Sequence, residues 1–181
     1  MSRRIPSRIT TATFIAALLL VCSVCLAEQV VVFSENFDDG DWTSSPAWET
    51  APADPSVTIS SDRCVSPPYS LKIAAANNMG AIRTASGLTS ADKPFTCTFN
   101  LYVESIPEEA IPWCLQRSNN AIVAIVFLLS NGRVQLANID SSGAWVRSNV
   151  AYPLSYGQWH TFRITYDGTT ENLYIDGHET P

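Results

Sequence analysis

The sequence predicts an all-β protein: an antiparallel two-sheet β-sandwich of the jelly-roll type, preceded by a helical signal peptide. Three observations predict it. After the first 27 residues apolar positions recur with a period of two, as in a pleated strand with one buried face. Gly, Asn and Asp interrupt these runs at short intervals, as hairpin turns require. Helical periodicity is nearly absent beyond the leader, and many short strands with regular turns fit a sandwich.

The leader has the three-part form of an export signal. Arg3, Arg4 and Arg8 supply a positive start, Phe14 to Leu26 an apolar run, and Cys25-Leu26-Ala27 a small-residue cleavage site. The run is short for a membrane span, so residues 1–27 are expected to be removed and 28–181 to form one domain. Lipidation at Cys22 or Cys25 ranks low, because Val21 and Val24 precede them where a small residue is usual. The product is expected to be extracellular, periplasmic or on the cell surface, with no membrane insertion after cleavage.

The whole chain carries a net charge of −6, and loss of the three leader arginines takes the remainder to −9. Such a surface argues against nucleic acid and anionic membranes as partners. It suits cations, or neutral partners such as glycans. Three cysteines follow the leader, enough for at most one internal disulfide. Cys97 alternates with Phe95 and Phe99 and reads as core, which leaves Cys64 and Cys114, both in loop-like stretches, as the expected pair.

The strands can be taken in order. Val30–Phe33 is a short β-branched run, and 35–55, rich in Asp, Ser, Pro and Trp, reads as a long loop. Val57–Ser60 and Ser70–Ala74 are short strands, the second with Leu71 and Ile73 inward. Phe95–Glu104 is the clearest: Phe95, Cys97, Phe99, Leu101 and Val103 share one face. Ala121–Leu129 is apolar throughout and suits a strand buried on both faces. Asn131-Gly132 then predicts a two-residue hairpin with both residues at positive φ, leading into Val134–Ile139. Ser141-Ser142-Gly143 turns into Ala144–Val150, and Gln158–Tyr166 places His160, Phe162, Ile164 and Tyr166 on one face. Asp167-Gly168 turns into Asn172–Ile175, and Asp176-Gly177 opens one more turn close to Pro181. A turn so near the end, with little chain to return, leads to the expectation that the last strand or strands are missing, the sequence being either a truncated gene product or the front part of a longer protein.

Two stretches resemble a known superfamily. Residues 156–168 (Tyr-Gly-Gln-Trp-His-Thr-Phe-Arg-Ile-Thr-Tyr-Asp-Gly) followed by 172–177 (Asn-Leu-Tyr-Ile-Asp-Gly) resemble the back half of concanavalin A-like lectin/glucanase domains, laminin G-like modules among them. Residues 33–42 (Phe-Ser-Glu-Asn-Phe-Asp-Asp-Gly-Asp-Trp) and Ser70-Leu71-Lys72-Ile73 resemble the opening of secreted members. The resemblance implies a jelly roll and leaves activity open, since this superfamily houses lectins, adhesion modules, glycosidases, lyases and calcium-binding domains.

Chemistry is sparse. The E-x-D-x-x-E strand pattern of retaining glucanases in this fold does not occur, and Glu104, Glu108 and Glu109 read as solvated rim charges. No Ser-His-Asp set, nucleophile elbow or phosphate loop appears, and no catalytic residue is assigned. Glu35, Asp38, Asp39 and Asp41 crowd into seven residues; the resemblance makes them candidate ligands of a structural calcium, and a simple polar turn, which Asp and Gly favour in any case, is the other reading. Sugar binding would use exposed aromatic rings with nearby polar groups. The candidates are Trp113, Trp145, Tyr152 and Tyr156, with Asn119 and Asn149 beside them, while Trp42, Trp48 and Trp159 read as packing residues. The sequence therefore favours a secreted, non-catalytic module that binds carbohydrate or another extracellular ligand. A polysaccharide-cleaving enzyme of the same fold and a structural or adhesion module of a larger surface protein are the alternatives.

Overall fold

A computed structural model describes residues 33–43, 48–50, 57–74, 82–84, 94–106, 109–116, 122–139, 142–148 and 152–180. The expected leader (1–27), the run at Val30–Val32, and Asn119 and Asn149 lie outside the described residues.

Thirteen strands are present among the described residues: β1 (Trp48–Thr50), β2 (Val57–Ser60), β3 (Ser70–Ile73), β4 (Ile82–Thr84), β5 (Phe95–Tyr102), β6 (Ala110–Gln116), β7 (Ile122–Leu128), β8 (Arg133–Ile139), β9 (Trp145–Arg147), β10 (Tyr152–Pro153), β11 (Trp159–Tyr166), β12 (Glu171–Ile175) and β13 (His178–Glu179). Every pairing is antiparallel, and no helix occurs among the described residues. β1 lies inside the stretch expected to be loop and pairs with β4.

Two sheets make the sandwich. One is five-stranded: β6, β7 and β8 in order, with both β9 and β10 on the outer edge of β8. The other runs β5-β11-β12-β13. The chain crosses between them twice, after β5 and after β10, so β5 pairs along its whole length with β11, from Phe95↔Tyr166 to Tyr102↔Trp159. The core is what their inner faces enclose. Val126, Leu128 and Val134 of the first sheet meet Phe162, Ile164, Leu173 and Ile175 of the second, with Val103, Ile106 and Leu154 closing the ends. Phe162 is fully buried and stacks on Phe99 at 5.1 Å. Each such side chain contributes about 1.5–3 kcal/mol through removal from water.

β7 is buried on both faces from Ala124 to Leu128, as its unbroken apolar run predicts. Val126 and Leu128 enter the main core; Ile125 and Phe127 point the other way and cluster with Ala137. The β7–β8 hairpin differs from expectation. Its loop has three residues, Ser130-Asn131-Gly132, and of the central pair Gly132 alone takes positive φ (75°). The Gly132 amide donates to the Leu129 carbonyl (2.9 Å), and Leu129 and Arg133 pair beyond it. This is a tight turn followed by a left-handed glycine, the usual three-residue solution. The two-residue loop with both φ positive occurs instead at Asp176-Gly177 (53° and 82°), from which β13 returns to pair with Tyr174 and Ile175.

Candidate functional site: an aromatic platform on the outer face of the five-stranded sheet

Period-two geometry places Cys114 of β6, Ile125 and Phe127 of β7, Gln135 and Ala137 of β8, and Trp145 and Arg147 of β9 on one face, away from the core. On this face Trp145 keeps 46% of its surface exposed. Its ring stands edge-on to Phe127, with centroids 6.1 Å apart and planes at 74°, a favourable aromatic geometry. Arg147 reaches back over β8, so that its guanidinium carbon lies 4.0 Å above the Phe127 ring. From there it donates two hydrogen bonds to Glu109, Nη1 to Oε2 at 2.8 Å and Nη2 to Oε1 at 3.1 Å. These bonds hold the guanidinium pKa above its usual value, against a small opposing effect of burial. Gln135 donates to the Ser148 carbonyl (3.0 Å), and the Ser148 amide donates to Leu136, which anchors the exit of β9. The result is an exposed indole on a fixed aromatic base, flanked by a paired cation and carboxylate.

The other sugar-binding candidates distribute differently. Trp113 is not loop-exposed: it sits on β6 opposite Val126 and packs against the main core. The β6–β7 run puts its side chain on the inner face, and Pro112 does not end the strand. Tyr152 also packs against that core, on β10. Tyr156 is 41% exposed, with its hydroxyl near Gly132 at the β7–β8 hairpin. Trp145 therefore lies apart from the other three rings, and its neighbours Phe127, Arg147 and Glu109 were not among the expected ligand groups. Arg147 was within reach of the sequence, since it shares a strand face with Trp145 two residues earlier. Glu109, 38 positions away, carried no such signal.

The acidic segment folds on itself. Glu35 Oε1 accepts the amides of Asn36 and Phe37, Asp39 Oδ1 accepts that of Asp41, and Asp41 Oδ1 accepts that of Thr43. Among the described residues no group of three or more Asp, Glu, His or Cys side chains converges as metal ligands. Asp38 Oδ1 is buried and meets no hydrogen-bond donor; Trp48 Nε1 and Glu171 Oε2 are likewise buried without a partner. Trp48 does pack, between Phe33 (5.0 Å, edge-on) and Phe37 (6.5 Å). No disulfide joins Cys64, Cys97 or Cys114, so the expected Cys64–Cys114 bond is not formed. Cys114 is on a central strand opposite Ile125, while Cys64 lies in the bend between β2 and β3. Burial pushes the Cys97 thiol pKa up, beside a weaker opposing hydrogen bond to Trp113.

His160 is buried, with Nδ1 2.6 Å from Asp176 Oδ2 and Nε2 2.8 Å from the Ser155 backbone carbonyl. The third partner is a carbonyl and not a hydroxyl, so this arrangement has the outline of a nucleophilic triad without its nucleophile. It ties β11 to the β12–β13 turn and to the chain before β11.

Fold and faces define an antiparallel sandwich with one core between its sheets and an aromatic platform outside it. The chain belongs to the concanavalin A-like lectin/glucanases superfamily: a laminin G-type family model of that description matches residues 76–181. The match covers the Trp145 platform and the back-half motifs, and begins after the opening segment at 33–42. Searches of curated proteins and of solved structures found no match.

Proposed function

We propose that the chain is an exported, non-catalytic jelly-roll module that binds carbohydrate on the outer face of its five-stranded sheet. One observation carries this reading: the Trp145 ring is open to solvent while Phe127 fixes its orientation, with Arg147 and Glu109 beside it. A rigid aromatic ring offers apolar area at little entropic cost, and the adjacent polar pair can meet hydroxyls. Membership in a superfamily that includes lectins supports it, and the leader pattern supports export. A glycan array combined with a reducing-sugar assay tests it. Binding without turnover, lost in Trp145→Ala, is the expected result; turnover would make the chain a polysaccharide-cleaving enzyme, and neither would make it a structural module.

Calcium belongs to the same proposal, at the loop of Glu35, Asp38, Asp39 and Asp41. Its support is the buried Asp38 Oδ1, which a cation with loop carbonyls and water could satisfy. A melting temperature that rises with calcium and falls back on chelation is expected. No response to either would remove the ion.

A further inference from the structure

Resting on the reading of the Trp145 face as a glycan site, we infer that its ligand is a neutral pyranose, stacked by an apolar C–H face on Trp145, and not a sulfated or uronic acid-bearing chain. Charge decides the ligand class. Recognition of a sulfate or carboxylate needs a cation with free donors, usually an arginine fork. The cation beside Trp145 is Arg147, and its fork is already taken bidentately by Glu109 at 2.8 and 3.1 Å. One face of the same guanidinium lies on Phe127. The pair is locally neutral, in a chain whose net charge is −6.

Of the other cations, Arg133 shares this sheet face at the start of β8, two positions before Gln135, the strand partner of Phe127. Arg63 pairs with Glu104, Lys72 with Asp62, and Arg163 covers Tyr174 on the other sheet. An anionic sugar on Trp145 would thus meet a compensated arginine and the Glu109 carboxylate. A neutral sugar meets a flat indole beside a polar pair whose charges already compensate each other, and brings no charge of its own to be desolvated.

The test is calorimetric titration of the full chain with laminarihexaose, cellohexaose and a heparin-derived hexasaccharide, each at low and at physiological salt. The expected result is binding of a neutral hexasaccharide that salt leaves unchanged, weakened at least about tenfold in Trp145→Ala and largely kept in Trp145→Phe. Both variants alter an exposed side chain, and an unchanged melting temperature confirms that they fold. Glu109→Gln releases the Arg147 charge and is expected to raise affinity for the heparin fragment severalfold, in a salt-sensitive way. Tighter binding of the heparin fragment by the unaltered chain, still dependent on Trp145, would overturn the ligand class and leave the site standing. Binding that survives Trp145→Ala, or no binding of any of the three, would overturn the site as well.

Discussion

Asp176→Asn isolates the contact that ties the last hairpin to the body of the sheet. Asp176 sits in the left-handed region (φ 53°), which Asn also tolerates, so the change removes a charge and leaves the turn intact. Oδ2 lies 2.6 Å from His160 Nδ1, and Oδ1 accepts the Thr161 amide at 2.9 Å. The other ring nitrogen lies 2.8 Å from the Ser155 carbonyl. A hydrogen bond to a charged group contributes about 1.5–3 kcal/mol. The Asp176 side chain is 41% exposed, and solvent screening reduces the expected loss to about 1–2 kcal/mol. With a urea m-value of about 2 kcal/mol/M, the unfolding midpoint should fall by roughly 0.5–1 M at neutral pH.

The pH dependence of this contact has a definite sign. Burial acts to raise the Asp176 pKa, but the His160 hydrogen bond, the Thr161 amide and the charges of His160 and His178 together hold it below the ordinary value. A carboxyl whose folded pKa is depressed stabilises the protein above its unfolded pKa, near 3.9, and loses that contribution as pH falls through the lower folded value. The gap between the native chain and Asp176→Asn should therefore be full at pH 7 and close progressively in acid below about pH 4. Urea titrations at a series of pH values measure it. An unchanged midpoint at pH 7, or a gap that persists undiminished in strong acid, would refute the argument.

Phe162→Ala should cost about 3–5 kcal/mol, because a fully buried ring stacked on Phe99 leaves a cavity between the sheets; denaturant unfolding checks this. Gly132→Ala should cost about 1–2 kcal/mol and Gly132→Asn less, as read from melting temperatures. A Cβ there meets only ordinary contacts at 3.5 Å or more, so the cost lies in the positive φ and not in crowding. Dithiothreitol should leave the melting temperature unchanged, since no disulfide joins Cys64, Cys97 or Cys114, and a clear drop would show that one forms.

Strand identity was legible wherever one face is buried, because a period of two is imposed by the pleat itself. Phe95–Tyr102 and Trp159–Tyr166 alternate in burial as their residues alternate in polarity. The apolar run of β7 likewise announced a strand covered on both sides. The acid-rich loop, the Asp-Gly turn and the superfamily were legible for the same reason: local chemistry restricts local backbone. The β7–β8 loop shows the limit, since an Asn-Gly pair serves either a two- or a three-residue hairpin and the register of the flanking strands selects between them.

Pairing across long separations was settled only by the tertiary fold. Nothing in Phe95–Tyr102 names Trp159–Tyr166 as its neighbour; the pairing follows from two crossings that bury both apolar faces at once. The same holds for the platform. Trp113 and Trp145 read alike in sequence, as rings beside turns, yet one faces the core and the other solvent. Which face of a sheet lies inward depends on what packs against it, and Arg147 meets Glu109 only because β9 and β6 flank the same two strands. Periodicity is a property of neighbouring residues; the choice between inside and outside belongs to the whole sandwich.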